Sequence, residues 1–194
     1  MSSPDARSLL QRNIEQARSQ LDVLGALAEP LQRAVDLLGR TLTSGGKVLC
    51  CGNGGSAADA AHLAAELLGR FETERPGFGA VDLTSNHALT TALINDYPPE
   101  DVFARQVRGL GAPGDALVAL STSGNSPNVE RALAAAREVG LHTVAMLGRD
   151  GGRCRGLADA ELLVPGDSTA RIQEGHLLLY HTICAALDPI LAAG

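Results

Sequence analysis

Aromatic side chains are scarce in this 194-residue sequence, where they make up 3% of the residues and include no Trp. Proteins that bind single-stranded nucleic acid without sequence preference stack bases on aromatic rings, so the composition argues against that class. With so few rings, the core must consist of Leu, Val, Ile and Ala. Such a core favours parallel strands packed between helices over an aromatic-rich sandwich of sheets.

Positive charge is also limited, because 16 Lys and Arg face 22 Asp and Glu and the formal net charge is −6. A surface that follows a nucleic-acid backbone needs clustered basic residues, so no nucleic-acid partner is predicted. Any anion that the protein binds must instead be held locally, by backbone N–H groups, hydroxyls or an isolated Arg.

Cysteines are few as well, at positions 50, 51, 154 and 184. Adjacent Cys50 and Cys51 point to opposite faces of a predicted strand and cannot pair without strain. All four are interpreted as reduced packing residues, and the protein is predicted to be cytoplasmic. No apolar run approaches the length of a membrane span, and the first residues lead into an amphipathic helix rather than a signal peptide, so no membrane partner is predicted.

The hydrophobic content of 45% and the chain length predict a single domain over residues 1–194. Helical periodicity predicts two leading helices at 5–27 and 29–42, so that 1–44 form a helical pair and 45–194 an α/β core. Predicted strands at 47–51, 80–83, 116–120, 143–147 and 161–164 alternate with predicted helices at 56–70, 87–94, 99–110, 127–139 and 170–191. This alternation predicts a three-layer α/β fold, a five-stranded parallel sheet with helices on both faces.

A glycine-rich loop follows the first predicted strand directly and precedes a helix: residues 52–56, Gly-Asn-Gly-Gly-Ser. Glycines let the backbone approach an anion closely, and the free N–H groups of the helix start attract negative charge. The alternative is an ordinary tight turn with Ser56 as the helix cap, and the loop alone does not decide between them. It is not a nucleotide-binding loop of the Gly-Lys-Ser/Thr type.

A second loop, residues 121–127, follows the third predicted strand with the sequence Ser-Thr-Ser-Gly-Asn-Ser-Pro. Four hydroxyls, a glycine and a helix start within six residues form a donor-rich, uncharged nest for a phosphate monoester. Capping one helix would need one Ser rather than four, so anion binding is the preferred interpretation.

Ionisable side chains with helical spacing follow the first loop and recur on the last helix. His62 and Glu66 are four residues apart, which puts them on one helix face as a pair of metal ligands or an acid–base pair, although such pairs are more often surface contacts. The last helix carries Gln173, His176 and His181, and polar groups within an apolar helix need partners when they are buried. His176 competes with His181 for a functional role, because it is only three residues from Gln173, and the alternative for His176 is a structural histidine.

Together the two loops resemble those of the sugar isomerase (SIS) superfamily, and the chain is similar over nearly its whole length to the phosphoheptose isomerases within it. The resemblance implies an SIS fold and conversion of sedoheptulose 7-phosphate to D-glycero-D-manno-heptose 7-phosphate through an enediol. The resemblance makes that reaction the first step of activated heptose biosynthesis, whose product can feed lipopolysaccharide, another surface glycan or a secondary metabolite. The resemblance also implies one zinc ion per subunit, held by His62, Glu66, Gln173 and His181, with Glu66 and His181 as the catalytic acid–base residues. Gln173 and His181 lie about 12 Å apart along a straight helix, so joint ligation needs a long reach, a bent helix or a second chain.

The predicted substrate-binding residues are Asn53, Gly54, Gly55, Ser56, Glu66, Asn95, Asp96, Ser121, Thr122, Ser123, Ser126 and Gln173. Asn95 and Asp96 fit a plain turn equally well. The leading helices need a partner surface, so self-association is predicted, as a homotetramer by the resemblance, and Arg70 could reach a neighbouring subunit's site. Ala170 departs from family members that carry an acidic residue there, which leaves another ketose phosphate open as substrate. Residues 71–76 also resemble members that bind a replication initiator, but those non-catalytic relatives lack the residues at Glu66 and His181.

Overall fold

The structure, a computed structural model, describes residues 5–192, so the outermost residues of the predicted domain lie outside the described part. Seven helices and five strands are described there. The helices are α1 (Ala6–Asp22), α2 (Ala28–Thr43), α3 (Gly55–Leu68), α4 (His87–Asp96), α5 (Val102–Leu110), α6 (Pro127–Val139) and α7 (Thr169–Ala192). The strands are β1 (Val48–Cys51), β2 (Ala80–Asp82), β3 (Ala116–Ser121), β4 (His142–Gly148) and β5 (Ala160–Val164).

The five strands form one parallel sheet in the order β2-β1-β3-β4-β5. After β1 the chain adds β2 at one edge of the sheet and then returns to add β3 on the opposite side of β1. The direction in which strands are added therefore reverses between β1 and β3. Ligands of open parallel sheets bind outside the carboxyl ends of the strands at such a reversal. Because β1 and β3 are direct neighbours, the topology brings the two loops of the sequence analysis side by side.

Two apolar layers cover the sheet, as predicted. Residues on one face pack against α2, α3 and α7, and residues on the other face pack against α4, α5 and α6. Adjacent Cys50 and Cys51 fall in different layers, which follows from the two-residue period of a strand. All four cysteines are buried and unpaired, so the prediction that they are reduced packing residues is confirmed.

The first helix differs from the prediction of one helix over 5–27. The α-helix ends at Asp22, and a 3-10 turn over Leu24–Leu27 follows. The turn places Leu24 in the interior against Gly175 of α7, whereas α1 has no buried residue. Burial of one leucine therefore overrides helical continuity, and α1 keeps Leu10, Ile14 and Leu21 exposed.

By length and composition alone, α7 could cross a membrane, which corrects the prediction that no apolar stretch is long enough. Half of its apolar window is buried inside the fold, and the helix carries His176 and Asp188 in buried positions. It packs against α2 and α3. These are the features of a core helix, and α7 lies in the same layer on the sheet as α2 and α3.

A buried ion pair fastens the segment between α3 and β2 to α7. The guanidinium of Arg75 donates to Asp188 Oδ1 at 2.8 Å and to the carbonyl of Glu66 at 2.8 Å. Asp188 Oδ2 accepts the backbone N–H groups of Glu72 and Thr73 at 2.9 and 2.8 Å. The side chains of the pair are 0% and 3% exposed, so the C-terminal end of α3 is held on α7 by charges shielded from water.

Candidate active site

The first loop begins α3 with glycine rather than serine. Gly54 occupies the capping position with φ 57° and ψ −120°, a backbone conformation that favours glycine, and no side chain caps the helix. Ser56 lies inside the first turn, so the alternative of a tight turn with Ser56 as the helix cap is not observed. Gly52 is required by space, because a Cβ there would lie 2.4 Å from the carbonyl oxygen of Ser56. The start of α3 thus has no side-chain cap, and the N–H groups of Ser56 and Ala57 donate to the carbonyl oxygens of Asn53 and Gly54 at 3.0 and 3.1 Å.

The second loop leaves its helix start uncapped as well. Ser126 is the capping residue of α6, yet its hydroxyl makes no capping bond and instead lies 3.0 Å from the hydroxyl of Ser121. Ser121 Oγ also accepts the N–H of Gly124 at 3.1 Å, and Gly124 has φ 64°. The Ser121 and Ser126 hydroxyls therefore face each other, and Ser123 Oγ accepts the N–H of Asn125 at 3.1 Å. Capping of α6 by the Ser126 hydroxyl is thus not observed.

A pair of asparagine amides joins the two loops. Asn53 donates to Asn128 Oδ1 at 2.9 Å, and Asn128 donates back to Asn53 Oδ1 at 2.8 Å. Asn128 lies in the first turn of α6, and sequence reasoning missed it, because Asn53 and Asn128 are 75 residues apart and neither residue has a local signal for the other. The reciprocal bonds fix the spacing between the two helix starts.

Gln173 at the start of α7 reaches the first loop. A Cβ built on Gly55 would lie 2.2 Å from Gln173 Nε2, so only glycine leaves room for this amide. His62 lies seven residues beyond Gly55, about 10 Å along α3. Gln173 therefore lies at the loop end of α3 and not beside His62, which differs from its prediction as a fellow metal ligand.

The other three predicted ligands come together where α3 passes α7. His62 Nε2 lies 2.9 Å from Glu66 Oε1 and 3.5 Å from His181 Nε2, and the three ligand atoms lie within 4.8 Å of one another. The imidazole rings meet edge to face, and Phe71 packs on His181 with 5.3 Å between ring centroids. His62 and Glu66 side chains are 43% and 21% exposed, so the cluster is open to solvent.

These donors fit a divalent metal. Two histidine nitrogens about 2.0–2.1 Å from a tetrahedral zinc lie roughly 3.4 Å apart, close to the spacing of the two Nε2 atoms. Two imidazoles and a carboxylate are the ligand set of a catalytic zinc site, in which a further position stays open for substrate. His62, Glu66 and His181 are thus the residues that could hold the ion.

Behind His62 lie two residues that sequence reasoning did not single out, Asp59 and Tyr180. The Tyr180 hydroxyl lies 3.0 Å from His62 Nδ1 and 3.5 Å from Asp59 Oδ1. Tyr180 is fully buried, and burial together with the charge of Asp59 raises the pKa of its hydroxyl well above the usual range. The hydroxyl therefore stays protonated at neutral pH and acts only through hydrogen bonds.

The remaining candidates are not members of this cluster. His176 is buried, with Nε2 3.2 Å from the carbonyl oxygen of Leu147, and burial lowers its pKa to about 4, so it remains neutral in the interior as expected of a structural histidine. Asn95 and Asp96 end α4 on the surface, where they bond to each other at 2.8 Å. Arg70 is exposed and lies 3.5 Å from Glu74.

Comparison with known families gives a consistent result. The model of the SIS domain family matches residues 13–148. A phosphoheptose isomerase of Aromatoleum aromaticum is 51% identical over 180 residues, which cover 91% of each chain.

Solved structures agree over the same extent. A phosphoheptose isomerase from Neisseria gonorrhoeae superposes with a TM-score of 0.90 at 42% identity and covers 95% of this chain and 100% of its own. One from Francisella tularensis gives 0.92 at 35% identity, covering 96% and 100%. The similarity thus includes the sheet, both loops and the helices that carry the His62, Glu66 and His181 cluster.

Proposed function

The chain belongs to the SIS domain family and, within it, to the phosphoheptose isomerases, and from this premise we propose that it isomerises sedoheptulose 7-phosphate to D-glycero-D-manno-heptose 7-phosphate. The predicted SIS fold and an isomerase activity follow from that membership. The assignment of each site residue to its role is the proposal.

A single observation supports the assignment: α7 connects the glycine-rich loop at the start of α3 with the His62, Glu66 and His181 cluster. Gln173 lies at the first loop and His181 at the cluster, eight residues or about 12 Å further along the helix. In a heptulose 7-phosphate the charged group and the reacting carbons C1 and C2 are at opposite ends. Phosphate in the nest therefore directs the carbonyl end of the sugar toward Glu66 and His181.

The phosphate end is held without a cationic side chain in either loop. No side chain caps the start of α3 or of α6, so the positive ends of both helix dipoles attract its oxygens, and Ser121, Thr122, Ser123 and Ser126 supply hydroxyl donors. Asn53, Gly54, Gly55, Ser56 and Gln173 form the facing wall. This resolves how a protein with net charge −6 binds a dianion, since dipoles and hydroxyls replace basic residues.

The hydrogen transfer takes place at the other end. Glu66 removes a proton from C1 of the open-chain ketose, and the electron pair forms the enediol double bond while the C2 carbonyl oxygen takes up a proton. Glu66 then delivers a proton to C2 as the C1 oxygen becomes the aldehyde carbonyl. His181, 3.5 Å from His62, donates and accepts protons at the sugar oxygens during ring opening and transfer.

Zinc is the proposed ion of the His62, Glu66 and His181 cluster, one per subunit, where it would polarise the sugar oxygens and stabilise negative charge on them. Glu66 has to serve as both ligand and base, so its carboxylate must be held loosely. Gln173 completes the proposed ligand set only if a rearrangement or a second chain brings it nearer.

Self-association fits the exposed apolar surface of a single chain. Leu68, Leu177 and Leu178 are 54%, 36% and 45% exposed on the helices that carry the cluster, and α1 adds its own apolar side chains. A homotetramer in the cytoplasm is therefore proposed, with active sites at subunit boundaries that Arg70 reaches from a neighbouring chain, and with Asn95 and Asp96 as contacts to the sugar hydroxyls. Burial of these leucines between subunits would also enclose the open cluster.

Conversion of sedoheptulose 7-phosphate, followed by proton NMR, tests the function. We expect turnover by the zinc-loaded protein, a loss of at least about tenfold after chelation and recovery on adding zinc back. Folded, zinc-loaded protein that converts another ketose phosphate but not this one would contradict the substrate. Protein that binds the sugar phosphate and turns over no ketose phosphate would indicate a non-catalytic SIS protein.

Loss of the Asn128 amide should raise the KM for the substrate more than it lowers kcat. Asn128→Ala leaves Asn53 without its partner and frees the spacing between the loops, so we expect the KM for sedoheptulose 7-phosphate to rise about tenfold, which corresponds to one hydrogen-bond pair. Asn128→Asp adds a negative charge beside the nest and should raise KM further. Steady-state kinetics in which both variants keep the wild-type KM would show that the amide pair does not position the loops.

A further inference from the structure

Tyr180 and Asp59 together have a geometry that the proposed reaction does not use. The Tyr180 hydroxyl lies between His62 Nδ1, at 3.0 Å, and Asp59 Oδ1, at 3.5 Å. The other oxygen, Asp59 Oδ2, is buried and has no hydrogen-bond partner within residues 5–192. The three side chains thus form a row: the Asp59 carboxylate, which can accept another hydrogen bond, lies on one side of Tyr180, and the proposed metal ligand His62 lies on the other.

We infer that Asp59 and Tyr180 form a hydrogen-bonded relay that holds His62 in the tautomer whose Nε2 lone pair faces Glu66 and His181. The inference rests on the proposed metal site. Neutral imidazole carries one proton, so ligation through Nε2 requires that proton to be on Nδ1. Tyr180 then accepts the Nδ1–H bond and donates its own proton to Asp59.

The hydroxyl can serve both states of His62 because it is able to donate or accept. His62 Nε2 also lies 2.9 Å from Glu66 Oε1, and a hydrogen bond between these two atoms requires a proton on Nε2. Tyr180 then donates to Nδ1. When Nε2 becomes a ligand, the hydroxyl rotates, and Asp59 is the acceptor that makes this rotation favourable. Tyr180 is therefore a positioning residue, and Asp59 acts through it.

Packing fixes the relay in place. The Tyr180 ring is fully buried and meets the rings of His62 and His181 edge to face, with centroids 5.4 and 4.9 Å away. Tyr180→Phe keeps this packing and removes only the hydroxyl. The chain has one other tyrosine, the exposed Tyr97, which packs under Arg105 and offers a matched control.

Zinc affinity of the full chain tests the inference. Wild type and the variants Tyr180→Phe, Asp59→Asn and Tyr97→Phe are stripped of metal and titrated with Zn²⁺ against a chromophoric chelator. Removing an outer partner of a metal-bound histidine typically costs about 10- to 100-fold in affinity, so we expect that loss for Tyr180→Phe and none for Tyr97→Phe. The double variant Tyr180→Phe with Asp59→Asn should lose no more zinc affinity than Tyr180→Phe alone, because both residues act through the Tyr180 hydroxyl.

Cobalt spectra and melting curves separate this role from a structural one. We expect the visible bands of bound Co²⁺ to change in Tyr180→Phe while the metal-free melting temperature stays within a few degrees of wild type. Zinc affinity of Tyr180→Phe within twofold of wild type would overturn the inference, and Asp59→Asn carries the same test if Tyr180→Phe does not fold. Wild-type protein that binds no zinc would overturn both the metal site and the relay, whereas turnover without zinc would leave the proposed reaction standing.

Discussion

Glu66→Gln should lower kcat for sedoheptulose 7-phosphate by about 10³-fold, within the range for loss of a general base. The amide keeps the size of the side chain and an oxygen toward the His62 and His181 rings, but it cannot take a proton from C1. The expected loss is in kcat, with little change in KM, because the phosphate nest lies at the start of α7, about 12 Å along the helix from the cluster. Steady-state kinetics at saturating zinc measure it.

Exchange with solvent gives a second measurement of the same step. Wild type in D₂O should incorporate deuterium into the heptose product, because a proton held by Glu66 exchanges with water, and Glu66→Gln should abolish the incorporation. Glu138→Gln is the matched control: it breaks an exposed pair with Arg108 at 2.8 Å on the outer helices and should leave both measurements unchanged. A Glu66→Gln protein that binds zinc and keeps more than a tenth of wild-type kcat would show that another group is the base.

Much of the fold was predictable because its signals are local. The apolar runs before Gly52 and Ser121 predicted strands, and the glycines and hydroxyls after them predicted helix starts that receive an anion. Parallel pairing then places the loops side by side, since neighbouring strands end at one edge. The same logic brought His62 and Glu66 together, because a spacing of four residues defines one helix face.

What sequence reasoning missed depends on contacts between distant segments. Tyr180 meets His62 across 118 residues and Asp59 across 121, and Arg75 meets Asp188 across 113. A tyrosine or an aspartate within a helix carries no local sign of such a partner. The break of the first helix before Leu24 has the same origin, because the space beside Gly175 that this leucine fills is formed by the last helix. Gln173 is the opposite case, because its separation of eight residues from His181 already indicated that the two side chains lie about 12 Å apart along one helix.

Asp188→Asn should cost about 3–5 kcal/mol of the free energy of unfolding, the range for breaking a buried ion pair by removing one charge. Asparagine keeps the shape but leaves the Arg75 guanidinium buried without a counter-charge, and it weakens the bonds to the N–H groups of Glu72 and Thr73. Urea unfolding measures the loss. Asp101→Asn is the control, since its pair with Arg131 is partly exposed and should contribute less than about 1 kcal/mol.

The pH dependence of this loss identifies its cause. Burial disfavours the Asp188 carboxylate, yet the hydrogen bonds from Arg75, Thr73 and Glu72 outweigh burial and lower its pKa below the ordinary value of 3.8. A carboxyl whose pKa is lowered by folding stabilises the protein above its unfolded pKa and loses that contribution as pH falls through the folded value. The difference between wild type and Asp188→Asn should therefore be constant from pH 7 to about 5 and shrink below about 4. A difference that persists unchanged into acid would mean that side-chain shape, rather than the charge of Asp188, holds Arg75 and with it the segment that carries Phe71 to His181.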